Sequence, residues 1–177
     1  DDVIASAATQ FMDVEGVSVV LVTADKDLLQ LLGPRITAKS ARDGSMLDAA
    51  GVKAKFGVEP GQMRDCLSLV GAASDNIAGA KGIGGKKAAD LLARFHSLDE
   101  IYRDMTDVGT VQMGLTPAIV TALKEFKPNL ETTRALITLR TDVDLPLKQI
   151  ALERVPVDAG FAPMEDDEMN GTQDLAQ

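Results

Sequence analysis

Residues 69–92 read L-V-G-A-A-S-D-N-I-A-G-A-K-G-I-G-G-K-K-A-A-D-L-L, and the reading of this stretch decides the fold. Glycines 79, 82, 84 and 85 interrupt an otherwise apolar, helix-forming sequence, with lysines 81, 86 and 87 set among them. The pattern predicts helix, tight loop, helix. Gly82-Ile83-Gly84 would lead into the second helix with its first N–H groups, which lack intrahelical partners, turned outward. Such a helix start is a phosphate site, and the helix dipole with Lys86 and Lys87 adds positive charge to it. Ser74-Asp75 lies close enough before the loop for a carboxylate-bound metal and a held phosphodiester to belong to one substrate. Taken alone, the glycines favour a plain connector between packed helices with solvated lysines; the flanking sequence reverses that preference.

Upstream, residues 17–23 read V-S-V-V-L-V-T, a continuous β-branched run of strand length with the pattern of a parallel strand buried on both faces. Asp25-Lys26-Asp27 follows, ahead of a short helix over 28–32. An aspartate directly after such a strand sits at the carboxyl edge of the sheet, where open α/β folds place ligands. Both carboxylates flank Lys26 and can reach one hard cation that takes oxygen ligands. A helix N-cap at Asp27 beside an ordinary turn residue at Asp25 fits the D-x-D spacing as well. The chain opens on Asp1-Asp2 followed by a small-residue helix, an arrangement that dipole compensation also explains. Two short strands, 34–40 and 45–47, are expected around the turn at 41–44, then helices from 52 to 56 and from 61 to 70.

Downstream, 86–95 is predicted to be a helix burying Ala88, Leu91, Leu92 and Phe95, and Ser97 caps the entry to another. Residues 106–113 read as loop, 116–126 as a helix with Pro117 in its first turn, and 131–140 as the last clear helix. From residue 153 prolines and then Glu165-Asp166-Asp167-Glu168 suggest a solvated acidic tail.

The 177 residues suit one domain, or one domain with a subdomain. With aromatics at 3%, the core must be built of Ala, Val, Leu and Ile, and stacking of bases on rings is not the binding strategy. The net charge of -9 argues against indiscriminate coating of nucleic acid, while leaving room for a nuclease whose site is a carboxylate cluster neutralised by divalent ions. Cys66 is the one cysteine and His96 the one histidine, so a disulfide framework and a zinc cluster are both excluded. Cys66 falls on an apolar helical stripe and His96 near a helix end, both structural positions. No apolar run would cross a membrane, no signal peptide is visible, and a cytoplasmic protein is expected.

The ordered motifs resemble those of the 5′-nuclease family, closest to the 5′–3′ exonuclease domain attached to bacterial DNA polymerase I and to its flap endonuclease and phage relatives. The family carries G-D-x-S-D-N-I-x-G-x-x-G-[IV]-G-x-K-x-A here, matched at Gly71, Ser74, Asp75, Asn76, Ile77, Gly79, Gly82, Ile83, Gly84, Lys86 and Ala88. Its E-A-D-D motif is matched in part by Asp1-Asp2. T-A-D-K-D-L-x-Q-L matches residues 23–31, K-[FY]-G-V-x-P-x-Q-x-x-D matches 55–65, and T-D-V-x-L matches 141–145. What the resemblance implies is an α/β fold. Residues 1–58 would form the C-terminal part of a parallel-sheet, PIN-like nuclease core. Residues 59–152 would form a helical helix-three-turn-helix DNA-binding region, and 153–177 the acidic tail.

The activity implied is metal-dependent 5′–3′ exonuclease and 5′-flap endonuclease cleavage of DNA with two Mg²⁺ or Mn²⁺ ions. By resemblance Asp1, Asp2 and Asp25 would hold the first ion and Asp25, Asp27 and Asp75 the second. Ser74, Lys81, Gly82, Gly84, Gly85, Lys86 and Lys87 would grip the duplex, with a potassium ion held by loop carbonyls. Two departures stand out. Ala72 replaces a metal-binding aspartate, and the family's amino-terminal half is missing, so an accompanying segment, or a fused polymerase in a parent protein of bacterial or phage origin, is expected. Together they raise the alternative of a catalytically inactive DNA-junction binding module.

Overall fold

Asp1 stands at the N-cap of α1 (Asp2–Met12), and the chain then runs into β1 (Val19–Thr23). A 3-10 turn (Asp27–Leu31) follows, then β2 (Ile36–Ser40) and β3 (Met46–Leu47). The sheet order is β1-β2-β3, with β1 parallel to β2 from Val19↔Ile36 to Thr23↔Ser40 and β3 antiparallel to β2. Then come α2 (Ala49–Phe56) and α3 (Met63–Val70), followed by a small antiparallel hairpin of β4 (Gly71–Ala72) and β5 (Ile77–Ala78). Among the described residues four helices follow: α4 (Gly85–Phe95), α5 (Leu98–Asp104), α6 (Pro117–Phe126) and α7 (Leu130–Ile137). This is a computed structural model, and it describes residues 1–105 and 114–146. Asp1–Leu145 form one compact unit. The loop expected at 106–113 and the acidic tail lie outside the described residues.

Local chemistry accounts for these ends. Asp48 caps α2 by accepting from the Gly51 N–H at 2.7 Å, and Gly57 closes it in the left-handed region at φ 77°. Ser97 and Thr116 cap α5 and α6 through their hydroxyls, with Pro117 in the first turn of α6. One hydrophobic cluster joins Leu21, Leu28 and Ile36 of the sheet region to Met63, Leu69, Leu92, Leu98 and Leu123 of the helices. Cys66 belongs to it as a buried free thiol, and burial pushes its pKa up to about 11.

Three expectations need correction. The strand expected to be buried on both faces buries only one: Leu21 is 6% exposed, but Val20 and Val22 are 50% and 58% exposed. β1 is the edge strand of a three-stranded sheet, and alternate side chains point to opposite faces, so the packing that covers Leu21 leaves its neighbours bare. The connection after α3 is not a plain loop, because it pairs as the β4–β5 hairpin. The last helix stops at Ile137 rather than 140, since Thr138 turns extended at φ -73°, ψ 120°.

Candidate metal and nucleic-acid site

The acids are positioned by the ends of elements. Asp25 follows β1, where its N–H donates to Thr23 Oγ1 at 2.9 Å, and its own Oδ1 accepts from the Asp27 N–H at 2.8 Å. This turn fixes both carboxylates beyond the carboxyl edge of the parallel pair. Asp75 lies on a single 3-10 turn (Ala73–Asp75) between β4 and β5, which Asn76 closes in the left-handed region at φ 56°. Asparagine tolerates that conformation better than branched residues. The neck of this hairpin is made by two glycines. A Cβ on Gly71 would come within 2.5 Å of the Gly79 backbone nitrogen, and one on Gly79 within 2.3 Å of the Val70 carbonyl carbon.

Two clefts receive the acids. The first, of about 480 Å³, is lined by Asp1, Asp2 and Asp27 together with Thr138, Leu139 and Arg140. The second, of about 580 Å³, is lined by Asp25, Lys26, Asp27 and Asp75, with Ala72 in its wall. Asp27 belongs to both. Its carboxyl is held above the ordinary value of 3.8 by partial burial and by the charges of Asp25 and Asp75. Among the described residues no three of His, Cys, Asp and Glu converge into a ready-made cage, so the acids are spread along the two clefts. Their donor set is carboxylate oxygen without imidazole or thiolate, which suits hard cations such as Mg²⁺ or Mn²⁺. The donors fit such an ion in their chemistry, and a cation near Asp27 would relieve both the burial of its charge and the repulsion from Asp25 and Asp75.

The glycine-lysine loop stands beside this. Ala80 and Ile83 are buried and anchor it, the Ala80 N–H donating to the Leu69 carbonyl at 2.7 Å. Gly82 adopts φ 78°, which explains one glycine. Gly84 and Gly85 do not adopt positive φ, and a Cβ at either would meet nothing within 4 Å. Gly84 caps α4 without a side-chain hydrogen bond, leaving the helix start bare. Lys81 and Lys86 are exposed, whereas the Lys87 ammonium donates to the Gly82 carbonyl at 2.9 Å and holds the loop closed. Ser74 lies on the 3-10 turn with Asp75.

Sequence reasoning missed what fixes Asp2. Its Oδ1 accepts from the Arg140 N–H at 2.9 Å. Residues 137–143 cross α1 and the 3-10 turn as a strap. Ser6 Oγ donates to the Arg140 carbonyl at 3.2 Å and accepts from the Val143 N–H at 3.1 Å, and Gln10 and Gln30 donate to the Val143 and Ile137 carbonyls. Ser6 is 0% exposed, and a hydroxyl on the buried side of an otherwise apolar helix was the available signal. Also missed was Asp65, buried on α3: its Oδ2 accepts from the Leu98 N–H at 2.9 Å, and its Oδ1 lies 3.6 Å from Arg134 Nη2 on α7.

Residues 1–57 match the family described as 5′-3′ exonuclease, N-terminal resolvase-like domain, and residues 58–159 match 5′-3′ exonuclease, C-terminal SAM fold. The chain is 37% identical over 145 residues to the thermostable DNA polymerase I of Thermus aquaticus, covering 82% of this chain and 16% of that protein. It is 35% identical over 156 residues to the flap endonuclease Xni of Shewanella halifaxensis, covering 87% and 59%. A solved structure of the T5 5′-exonuclease with bound zinc superposes with a TM-score of 0.66 at 20% identity, over 79% of this chain and 50% of that one, a likeness of fold. The chain therefore spans less than two thirds of each of these proteins. With both family matches in chain order, running from residue 1 to 159, the chain belongs to the 5′–3′ exonuclease family.

Proposed function

We propose that this chain is the carboxylate-bearing and DNA-gripping part of a metal-dependent 5′–3′ exonuclease and 5′-flap endonuclease that hydrolyses DNA phosphodiester bonds. One observation carries the reading: Asp27 is shared by two acid-lined clefts, and partial burial with the charges of Asp25 and Asp75 raises the pKa of its carboxyl. Mg²⁺ or Mn²⁺ would be held by Asp25, Asp27 and Asp75 on one side of this residue and by Asp1 and Asp2 on the other. Bound there, such ions supply Lewis-acid polarisation of a phosphodiester and a water of lowered pKa. The chain itself binds and orients. The bare N–H groups at the start of α4, together with Ser74, Lys81 and Lys86, hold phosphates through charge and the helix dipole. Lys87 keeps Gly82 in place, and a potassium ion on the remaining loop carbonyls would add to that grip. In this reading residues 1–58 carry most of the acids and 59–152 hold the duplex. Relatives named DNA polymerase I support a larger protein with a polymerase part.

Ala72 favours a second reading. It lines the same cleft as Asp25, Asp27 and Asp75 and offers no side-chain carboxylate, as expected of a junction-binding module without chemistry. Cleavage of a 5′-labelled flap duplex with Mg²⁺ and then Mn²⁺, by this chain and by Ala72→Asp, separates the two. We expect Ala72→Asp to cut faster, since a fourth carboxylate in the cleft tightens cation binding. Salt-sensitive flap binding without cleavage by either protein would establish the binding module, and absence of binding by both would overturn both readings.

A further inference from the structure

Asp65 is buried on α3, and its Oδ1 lies 3.6 Å from Nη2 of Arg134, a largely buried side chain on α7. Among the described residues neither of these two atoms has a hydrogen-bond partner, so charge alone holds them together. Arg134 also meets Asp99 and Glu131, but those carboxylates are exposed and water screens them. Stability does not account for the buried pair, because well-packed apolar residues of similar volume join two helices as well or better. What such a pair does impose is register. Each charge must keep facing the other or stand uncompensated, so α3 and α7 are fixed along each other's length.

Both helices run directly into the acid clefts. α3 ends at Val70 and the hairpin that carries Asp75 begins at the next residue, while Leu67 and Val70 line the cleft of Asp25, Asp27 and Asp75. α7 ends at Ile137 and continues as an extended strap. Its Ala135 and Leu136, with Thr138 and Arg140 of the strap, line the cleft of Asp1, Asp2 and Asp27. The link from Arg134 to the acids is short. Its carbonyl accepts from the Thr138 hydroxyl at 2.7 Å, the Ile137 carbonyl accepts from Gln30 on the turn of Asp27 at 2.9 Å, and the Arg140 N–H donates to Asp2 at 2.9 Å. One cleft therefore takes a wall from α3 and the other from α7, and Asp65 with Arg134 is a buried charged contact between those two helices.

We propose that Asp65 and Arg134 are positioning residues of the metal site, whose contact sets the placement of Asp2 relative to Asp75 across the shared Asp27. Neither residue lines an acid cleft; each acts through the helix that carries it. A slip of α7 against α3 by one residue's rise, about 1.5 Å, would displace one group of acids from the other, a shift that the near-ideal octahedral geometry of Mg²⁺ does not tolerate. The inference rests on the nuclease reading and deepens it.

The experiment takes the 177-residue chain and reads two quantities: Mn²⁺ affinity by calorimetry, and, in the metal-free chain, amide exchange at Arg140 and Val143 as a ratio to the amides of the β1–β2 ladder. The ratio cancels a global loss of stability, which would speed both sets alike. The principal variant is Asp65→Asn with Arg134→Met, which strands no buried charge. Asparagine keeps an acceptor for the Leu98 N–H, and Arg64 and Asp99 are exposed enough to be solvated. Arg134→Gln is a milder second variant, since Asp65 keeps Arg64 at 3.5 Å. We expect both to raise the exchange ratio several-fold and to weaken Mn²⁺ binding, the double variant by about ten-fold. Arg134→Lys, which restores the charge, should stay close to the unmodified chain in both. If the double variant and Arg134→Gln keep ratio and affinity, or the ratio rises while affinity holds, the pair is structural only and the proposal is overturned, with the nuclease reading intact. Equal losses in Arg134→Lys and Arg134→Gln would overturn it too, because charge would not be the tie. If the unmodified chain binds no Mn²⁺, the metal reading fails and the proposal with it.

Discussion

Asp27 carries its charge against Asp25 and Asp75 in a half-buried position, so its carboxyl is harder to ionise in the fold than in the unfolded chain, where 3.8 is the ordinary value. The raised pKa means that the folded state binds this proton more tightly. The resulting stabilisation is full below pH 3.8 and is lost as pH rises through the folded value. Without metal, Asp27→Asn should therefore melt higher than the unmodified chain at pH 7, with the difference vanishing in acid; thermal melts from pH 3 to pH 8 check this. A divalent cation should narrow the gap at pH 7 by neutralising the cluster, and the Asn variant should respond to it less. At the hairpin neck, Gly71 combines φ 81° with ψ 170°, a region that side-chain-bearing residues avoid. This makes the glycines on either side of Ser74-Asp75 requirements of backbone approach, in contrast to Gly84 and Gly85.

Among elements, the strap formed by residues 137–143 matters most for the acids. It reaches back across more than 130 residues of sequence to α1 through Ser6, Gln10 and Asp2. Ser6→Ala removes a hydroxyl that serves both the Arg140 carbonyl and the Val143 N–H. It should cost about 1–3 kcal/mol in urea unfolding, because buried polar groups lose their partner. Since the same strap holds the Asp2 carboxylate beside Asp27, Mn²⁺ affinity measured by calorimetry should fall as well. Ser6→Thr, which keeps the hydroxyl, should retain more of both. The edge strand β1 belongs to this scale too. Its inner residue Leu21 joins the core, and Val20 and Val22 form an apolar outer face.

Across the whole unit, one core spans the sheet and the helices, and one buried ion network locks the helices to one another. Asp65 on α3 binds the start of α5 through the Leu98 N–H and faces Arg134 of α7, which also pairs with Asp99 at 3.0 Å. Asp65→Asn leaves the Arg134 guanidinium, 14% exposed, short of its buried counter-charge. Removal of one partner of a buried pair costs about 3 kcal/mol. Denaturant unfolding should show such a loss, and it should exceed that of Asp99→Asn, whose carboxylate is 69% exposed.

The sequence by itself determined the order of the main strands and helices, the cap at Ser97, the candidate acids and the glycine-lysine loop. These depend on neighbours a few residues apart: a hydroxyl before a helix, two carboxylates flanking one lysine, a glycine where φ is positive. The ordered motifs also revealed the family. Only the tertiary structure decided that Asp27 lies where two clefts meet, that Arg140 holds Asp2, and that Asp65 is a buried tie. Each of these joins residues tens to more than a hundred positions apart, and no local spacing encodes such a meeting. The same reason explains β1: its apolar run recorded a preference for burial, but how many faces are covered depends on what packs against the sheet.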